Sequence, residues 1–319
     1  MKRKMEVSEL IFKIVAYFFL IVFALMCVYP FLYAIGSAFS SQAANEAGDV
    51  ILWPVEPQTA AFVYVMTNAQ FWIAYANTLF TTIIGTAWSL FYSILGAYAL
   101  SKKRIMGRHG WNFFLVFTMW FNAGVVATYL NYQATGEVFA ALFAGSTNMF
   151  EIDLKWLVVI AMGMNATNII LLRNAFEGVP AEIEEAARID GATEMQVLTK
   201  VYLPMSKATI ATVALFFGIS RWNGYFWAQK VMGTSTSLDG GGQPYSWPVQ
   251  VYIRDFINKY TSLVTTYDPD TNKIFDDEVV SRNGVVYSMV ICSVIPILII
   301  YPFIQKYFAK GVNMGGVKE

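Results

Sequence analysis

Residues Ile14-Val-Ala-Tyr-Phe-Phe-Leu-Ile-Val-Phe-Ala-Leu-Met-Cys27-Val-Tyr-Pro30-Phe-Leu-Tyr-Ala-Ile35 run without a single charged side chain. At 1.5 Å of rise per residue, a helix of this length crosses the roughly 30 Å of hydrocarbon in a bilayer. Five more runs of similar character follow, near residues 78–100, 111–130, 154–172, 210–227 and 285–301. The fold class predicted is therefore an all-α membrane protein with six transmembrane helices. Gly85, Gly96, Gly124, Pro30 and Pro296 fall inside these runs. They are expected to be kept in continuous helices, because neighbouring helices in lipid satisfy the backbone groups such residues free.

The whole chain agrees with that reading. Its 319 residues are 56% hydrophobic and only 14% charged, a balance beyond that of an ordinary soluble domain. With 22 basic and 22 acidic residues the net charge is zero, so no global field gathers nucleic acid. Cys27 and Cys292 both lie in apolar runs, make no zinc spacing, and read as small buried hydrophobes.

Charge placement sets the orientation, since short cytoplasmic loops carry an excess of Lys and Arg. Lys2, Arg3 and Lys4 precede the first run, and Lys102, Lys103, Arg104 and Arg108 crowd the second connection, while residues 41–74 and 132–153 hold no basic residue. Residues 1–13 and 309–319 are thus expected inside, flanking a membrane domain over 14–308. The connection 173–207 is then cytoplasmic and the long loop 228–282 exported. A cleaved signal near Ala43 and Ala44 is disfavoured, because the first apolar run far exceeds a signal core.

The connection 173–207 holds the sequence Pro180-Ala-Glu-Ile-Glu-Glu185-Ala186-Ala187-Arg188-Ile189-Asp190-Gly191-Ala-Thr193-Glu-Met-Gln196-Val-Leu-Thr-Lys-Val201-Tyr202-Leu203-Pro204. It predicts two short helices and a hinge. Pro180 suits a first helical turn, and Glu184 precedes Arg188 by four residues, the favourable order for an ion pair. Asp190-Gly191 breaks the helix, and Thr193 with Gln196 can form a capping box that restarts it. Ala186 and Ala187 leave a low-relief face that a second protein could approach closely. From the residues alone, a plain amphipathic hairpin remains equally open.

The spacing Glu185-Ala186-Ala187, three residues, Gly191, nine residues, Val201, one residue, Leu203-Pro204 resembles the EAA loop of binding-protein-dependent ABC importer permeases. The resemblance implies that this loop is the coupling element docking into a cytoplasmic ATPase, with Glu184, Glu185, Ala186, Ala187, Arg188, Asp190, Gly191, Leu203 and Pro204 carrying or framing the contact. It also implies the usual partners: a second, similar permease subunit, an ATPase dimer inside that holds ATP and Mg, and a sugar-binding lipoprotein outside. Asn77-Thr-Leu, Ala97-Tyr-Ala-Leu-Ser and Trp222-Asn223 are similar to carbohydrate permeases. Phe121 to Leu130 and Pro248 to Arg254 are similar to the oligosaccharide and polysaccharide-fragment branch, with Ala127 departing from the proline expected there.

How such a chain is energised has a separate physical answer. None of the six runs contains Asp or Glu, the groups an ion-coupled carrier needs at membrane depth. No Gly-x-x-x-x-Gly-Lys-Ser/Thr loop occurs either, so nucleotide hydrolysis falls to a partner and no catalytic residue is assigned here. His109, the sole histidine, is expected to be a solvated loop position. A peptide permease of the same family and, more remotely, an ion-coupled carrier stay as alternatives.

For a sugar path, aromatic rings and amides on one helical face complement pyranose faces and hydroxyls. Phe217, Arg221 and Tyr225 recur every four residues in the fifth run with Ser220 and Gly224 beside them, and the resemblance places substrate contacts on that helix, which also carries the candidate Asn223. The alternative is that Arg221 snorkels to the interface as an anchor. Asn122, Tyr129, Asn165 and Asn168 are further candidates. The loop 228–282 is long enough to have structure of its own, and either grips the binding protein or caps the bundle.

Overall fold

A computed structural model of the chain describes residues 7–121, 123–143, 159, 163–232, 247–262 and 280–311. Every regular element among them is helical. Among the described residues, three helices are each long and apolar enough to cross a bilayer: Ser8–Ala38, Ala69–Ser101 and Arg282–Pro302. Two bent pairs pass the same test only when taken together, Arg108–Trp120 with Gly124–Tyr132, and Glu194–Met205 with Lys207–Trp222. Of the expected span at 154–172, residues 154–158 and 160–162 lie outside the described residues, and its end falls in the helix Ala166–Glu177.

The chain divides into two compact units, Met1–Trp72 with Ile253–Ile295, and Ile73–Tyr252 with Pro296–Glu319. In the first, the helix Val7–Ala38 shows its apolar side chains outward, Phe12 74% and Met26 69% exposed. A helix that is hydrophobic all round and unburied by protein belongs in lipid. Cys27 is exposed on that helix, so of the two cysteines only Cys292 is the buried hydrophobe expected. The end of the helix is tied by Asn45, whose amide donates to the carbonyls of Ser37 and Ser41 at 3.1 Å each. Gly284 lets its helix lie against this end, since a Cβ there would sit 3.2 Å from Ala61 and 3.3 Å from the Ser37 carbonyl.

The second unit is built on an apolar core of Leu172, Phe176, Val197, Tyr202, Val213 and Phe217. Ala97 closes the core from the helix Ala69–Ser101.

Several expected boundaries change for local reasons. Gly85, Gly96, Pro30 and Pro296 stay inside helices, but Gly124 takes φ +81 and ends the continuity of the third run. In place of one helix over 111–130 there are Arg108–Trp120 and Gly124–Phe143. Only a glycine adopts that backbone without strain. The fifth run is likewise two helices, Lys207–Trp222 and Tyr225–Met232, parted at Asn223-Gly224. The second helix starts about two turns ahead of the expected run 78–100, at Ala69, so Asn77 lies within it. The Asn77 side-chain amide donates to the Trp247 carbonyl at 3.3 Å, and Thr78 accepts from the Val249 amide at 2.7 Å. These bonds hold the start of Val249–Ser262, a helix within the expected long loop.

Candidate functional site: a charged helical elbow

Pro180 caps the helix Ala181–Ile189, whose first turn carries Glu182 and Glu184 and whose last carries Arg188, the arrangement the helix dipole favours. Gly191, at φ +80, stops it. The amide of Ala192 donates back to the Ala187 carbonyl and that of Gly191 to Arg188, both at 3.0 Å. This is the Schellman pattern, which satisfies the orphan carbonyls of a helix end. Two residues on, Thr193 and Gln196 form the predicted capping box: the Gln196 side chain accepts from the Thr193 amide at 2.8 Å, and the Thr193 hydroxyl accepts from Gln196 at 3.4 Å.

The helix Glu194–Val197 then widens into a π-helical turn, Leu198–Tyr202. Pro204 follows and has no N–H for the Lys200 carbonyl, which its ring would crowd in a regular α-helix; widening relieves that conflict. At Ser206 the chain turns through 86° into Lys207–Trp222. Residues 181–205 therefore form an elbow set across the helix that follows.

One face of the elbow is anchored. Glu184 is the hub: its Oε1 meets Lys102 Nζ at 2.8 Å and Arg188 at 2.7 Å, and its Oε2 accepts from the Tyr202 hydroxyl at 2.5 Å. Burial alone would raise the Glu184 pKa, but the hydrogen bonds from Lys102, Tyr202 and Arg188 outweigh it and hold the carboxyl at about 2. Lys102 is buried at the end of Ala69–Ser101, with its ammonium 3.9 Å from the centre of the Tyr202 ring and 4.2 Å from that of Tyr98. Desolvation there pushes its pKa down, against the pull of Glu184. A second carboxylate, Glu194, takes Arg104 at 2.6 Å, Arg188 at 2.8 Å and the Tyr98 hydroxyl at 2.9 Å. Beside the cluster opens a cleft of about 630 Å³ lined by Lys102, Lys103, Arg104, Arg108, Glu177 and Glu184 among others.

The opposite face points outward. Glu185, Ala186, Ile189 and Asp190 are not buried, Ile189 being 86% exposed, whereas Ala187 packs on the apolar core. The expected Glu184 to Arg188 pair is made. Glu184 and Glu185, adjacent in sequence, differ in surroundings: the first turns into the cluster and the second is exposed. Leu203 is half-buried against the core, and Pro204 is exposed at the bend. The partners that Glu184 and Glu194 find just past the end of the second helix are not legible in the elbow segment. Lys102 and Arg104 carried only a topological signal, and their contacts lie roughly 80 to 90 residues away in the chain.

The path candidates fare differently. Phe217 belongs to the apolar core. Arg221 does not snorkel: it is 8% exposed and donates to Ser89 Oγ at 2.7 Å and the Val159 carbonyl at 3.1 Å. Gly85 makes room for it, since a Cβ there would overlap the guanidinium. Tyr225 sits on the next helix, 44% exposed, so Phe217, Arg221 and Tyr225 do not share one helical face. Ser220 and Asn223 are exposed, and Tyr129 is half-buried on Gly124–Phe143. Asn165 is an N-cap, accepting from Thr167 at 2.9 Å, and Asn168 is buried. Asn122 lies outside the described residues.

Residues 3–314 match the family described as the binding-protein-dependent transport system inner membrane component. The chain is 31% identical over 308 residues to the polygalacturonan/rhamnogalacturonan transport system permease protein YtcP of Bacillus subtilis, covering 97% of this chain and 98% of that one. It is also 31% identical to protein LplC of the same organism, over 91% of this chain and 89% of that one. Among solved structures, it superposes with a TM-score of 0.81 and 37% identity on a chain from a bacterial ABC transporter involved in the import of the acidic polysaccharide alginate, covering 96% of this chain and 100% of that one.

Proposed function

This chain belongs to the family of binding-protein-dependent transport system inner membrane components, an ABC transporter permease with apolar membrane helices, and from that premise we propose that it imports oligosaccharides by ATP-driven alternating access. In this reading it pairs with a second homologous permease, two cytoplasmic ATPase subunits that bind ATP and Mg, and an extracellular sugar-binding lipoprotein. Both termini are cytoplasmic, and the 228–282 loop faces the binding protein. The relatives named for polygalacturonan and alginate handle uronic-acid polymers, so short acidic oligosaccharides are the substrate class to try first.

One observation carries the proposal: the elbow helix pins its Glu184 and Arg188 side inward and leaves Glu185, Ala186 and Ile189 as an open, low-relief face. An exposed isoleucine ringed by charge and small residues fits a protein contact. ATPase closure would press on this face, and the elbow would pass the movement to the helices so that the cavity opens outward. Arg221 and Tyr129 remain the path residues to test, Arg221 because a guanidinium pairs with a sugar carboxylate in fork geometry.

The experiment is Ala186→Trp in the complete transporter. Because Ala186 is exposed, the bulky ring should leave folding and membrane insertion intact while blocking the ATPase. Expected are normal amounts of permease in the membrane, loss of the co-purifying ATPase, and uptake of short oligogalacturonides reduced at least about tenfold, the scale of one lost interface contact. Wild-type uptake in this variant would refute the docking role.

A further inference from the structure

The elbow has a second, inward-facing machinery that docking does not use, and it converges on one buried lysine. Lys102 is the residue that follows the helix Ala69–Ser101. Its side chain is 8% exposed. Its ammonium is gripped from both halves of the elbow: Glu184, on the first helix, holds it at 2.8 Å, and the ring of Tyr202, on the π-helical turn, lies 3.9 Å beneath it. Tyr98, from Lys102's own side, completes the cage at 4.2 Å. The Tyr98 and Tyr202 rings pack edge to face at 5.1 Å. A parallel strap runs from Arg104 through Glu194 to Tyr98.

We propose that Lys102 is the positioning residue that locks the elbow to the end of the Ala69–Ser101 helix, so that a push on the elbow moves that helix. The inference rests on the reading of the elbow as the ATPase contact. A lysine desolvated between two rings and a carboxylate has one favourable geometry. If the elbow moves, the ammonium must follow or be left buried without its partner, and only the first course is open at low cost. The contact with the ATPase and the lock occupy opposite faces of one short helix, so each can be removed alone. A chain of packed, charged side chains between two elements is the physical form such coupling takes.

The test uses the full transporter in proteoliposomes, with its binding protein and short oligogalacturonides. Lys102→Met keeps an unbranched apolar stem, one heavy atom shorter, but removes the charge that sits between the rings and Glu184. ATPase co-purification and basal ATP hydrolysis are expected to match wild type, while sugar imported per ATP falls about tenfold, a coupling loss within the range for allosteric links. Glu184→Gln should also lower import per ATP, and the double variant should import no less per ATP than the weaker single one, since two members of one lock are not additive. Wild-type import per ATP in Lys102→Met would overturn the lock. So would loss of ATPase co-purification, which would make Lys102 a mere support of elbow folding. The docking reading fails separately: in that case Ala186→Trp keeps its ATPase and its uptake, whatever Lys102→Met does. If the wild-type assembly itself imports nothing at the expense of ATP, both readings fall together.

Discussion

At the scale of single residues, the elbow turns on a distinction between neighbours. Glu184 and Glu185 carry the same group, yet the 100° step of an α-helix sends one into a nest of cations and leaves the other in solvent. The consequence for pH has a definite sign. Glu184 has its folded pKa depressed to about 2, against roughly 4.3 for a free glutamate. Its stabilisation is therefore fully present above the free value and is lost as pH falls through about 2. Hydrogen exchange of the 181–205 amides, corrected for intrinsic rates, should show constant protection from pH 8 to pH 5. Glu184→Gln should lower that protection across the whole range; an acid-dependent loss near pH 6 in the wild type would contradict the assignment. Arg221 teaches a related lesson. Its charge within an apolar run marks it as unusual, but only the close approach of Gly85 explains why its long side chain turns inward and does not reach for the interface.

At the scale of elements, the elbow is specified almost entirely by local chemistry. Proline at the start, the Glu184 to Arg188 pair, a glycine at positive φ and the Thr193 box all act within a few residues, so each is legible from the order of the amino acids alone. Removing the box by Thr193→Ala should cost about 1 kcal/mol, seen as a roughly fivefold faster exchange of the 194–202 amides, the ratio that energy implies. An unchanged rate would mean the core around Tyr202, and not the cap, holds the second half. Less legible are the breaks at Gly124 and at Asn223-Gly224. Apolar composition continues straight across both, and hydropathy reports solvent preference without reporting backbone direction. The π-helical turn before Pro204 is similarly hidden, since a proline there permits a kink, a bulge or a stop. The candidate path suffers most, because a four-residue repeat means one face only while the helix continues, and it ends at Trp222.

At the scale of the whole molecule, composition and run length are enough to assign a membrane protein, and the family match over residues 3–314 agrees with the resemblance carried by one 20-residue motif, Glu185 to Pro204. The partnership of the elbow with Lys102 and Arg104 is not legible in the same way, because it is a long-range contact set by folding. On the proposed reading, these features describe a chain that harvests no gradient and hydrolyses no nucleotide, but receives force at one face of a short helix and carries it inward from the other. The most direct measurement is a photo-crosslinking amino acid placed at Ile189 in cells expressing the complete transporter. The account predicts an adduct between this chain and a cytoplasmic nucleotide hydrolase. No such adduct, together with labelling of the same position by an impermeant reagent added outside sealed cells, would contradict it.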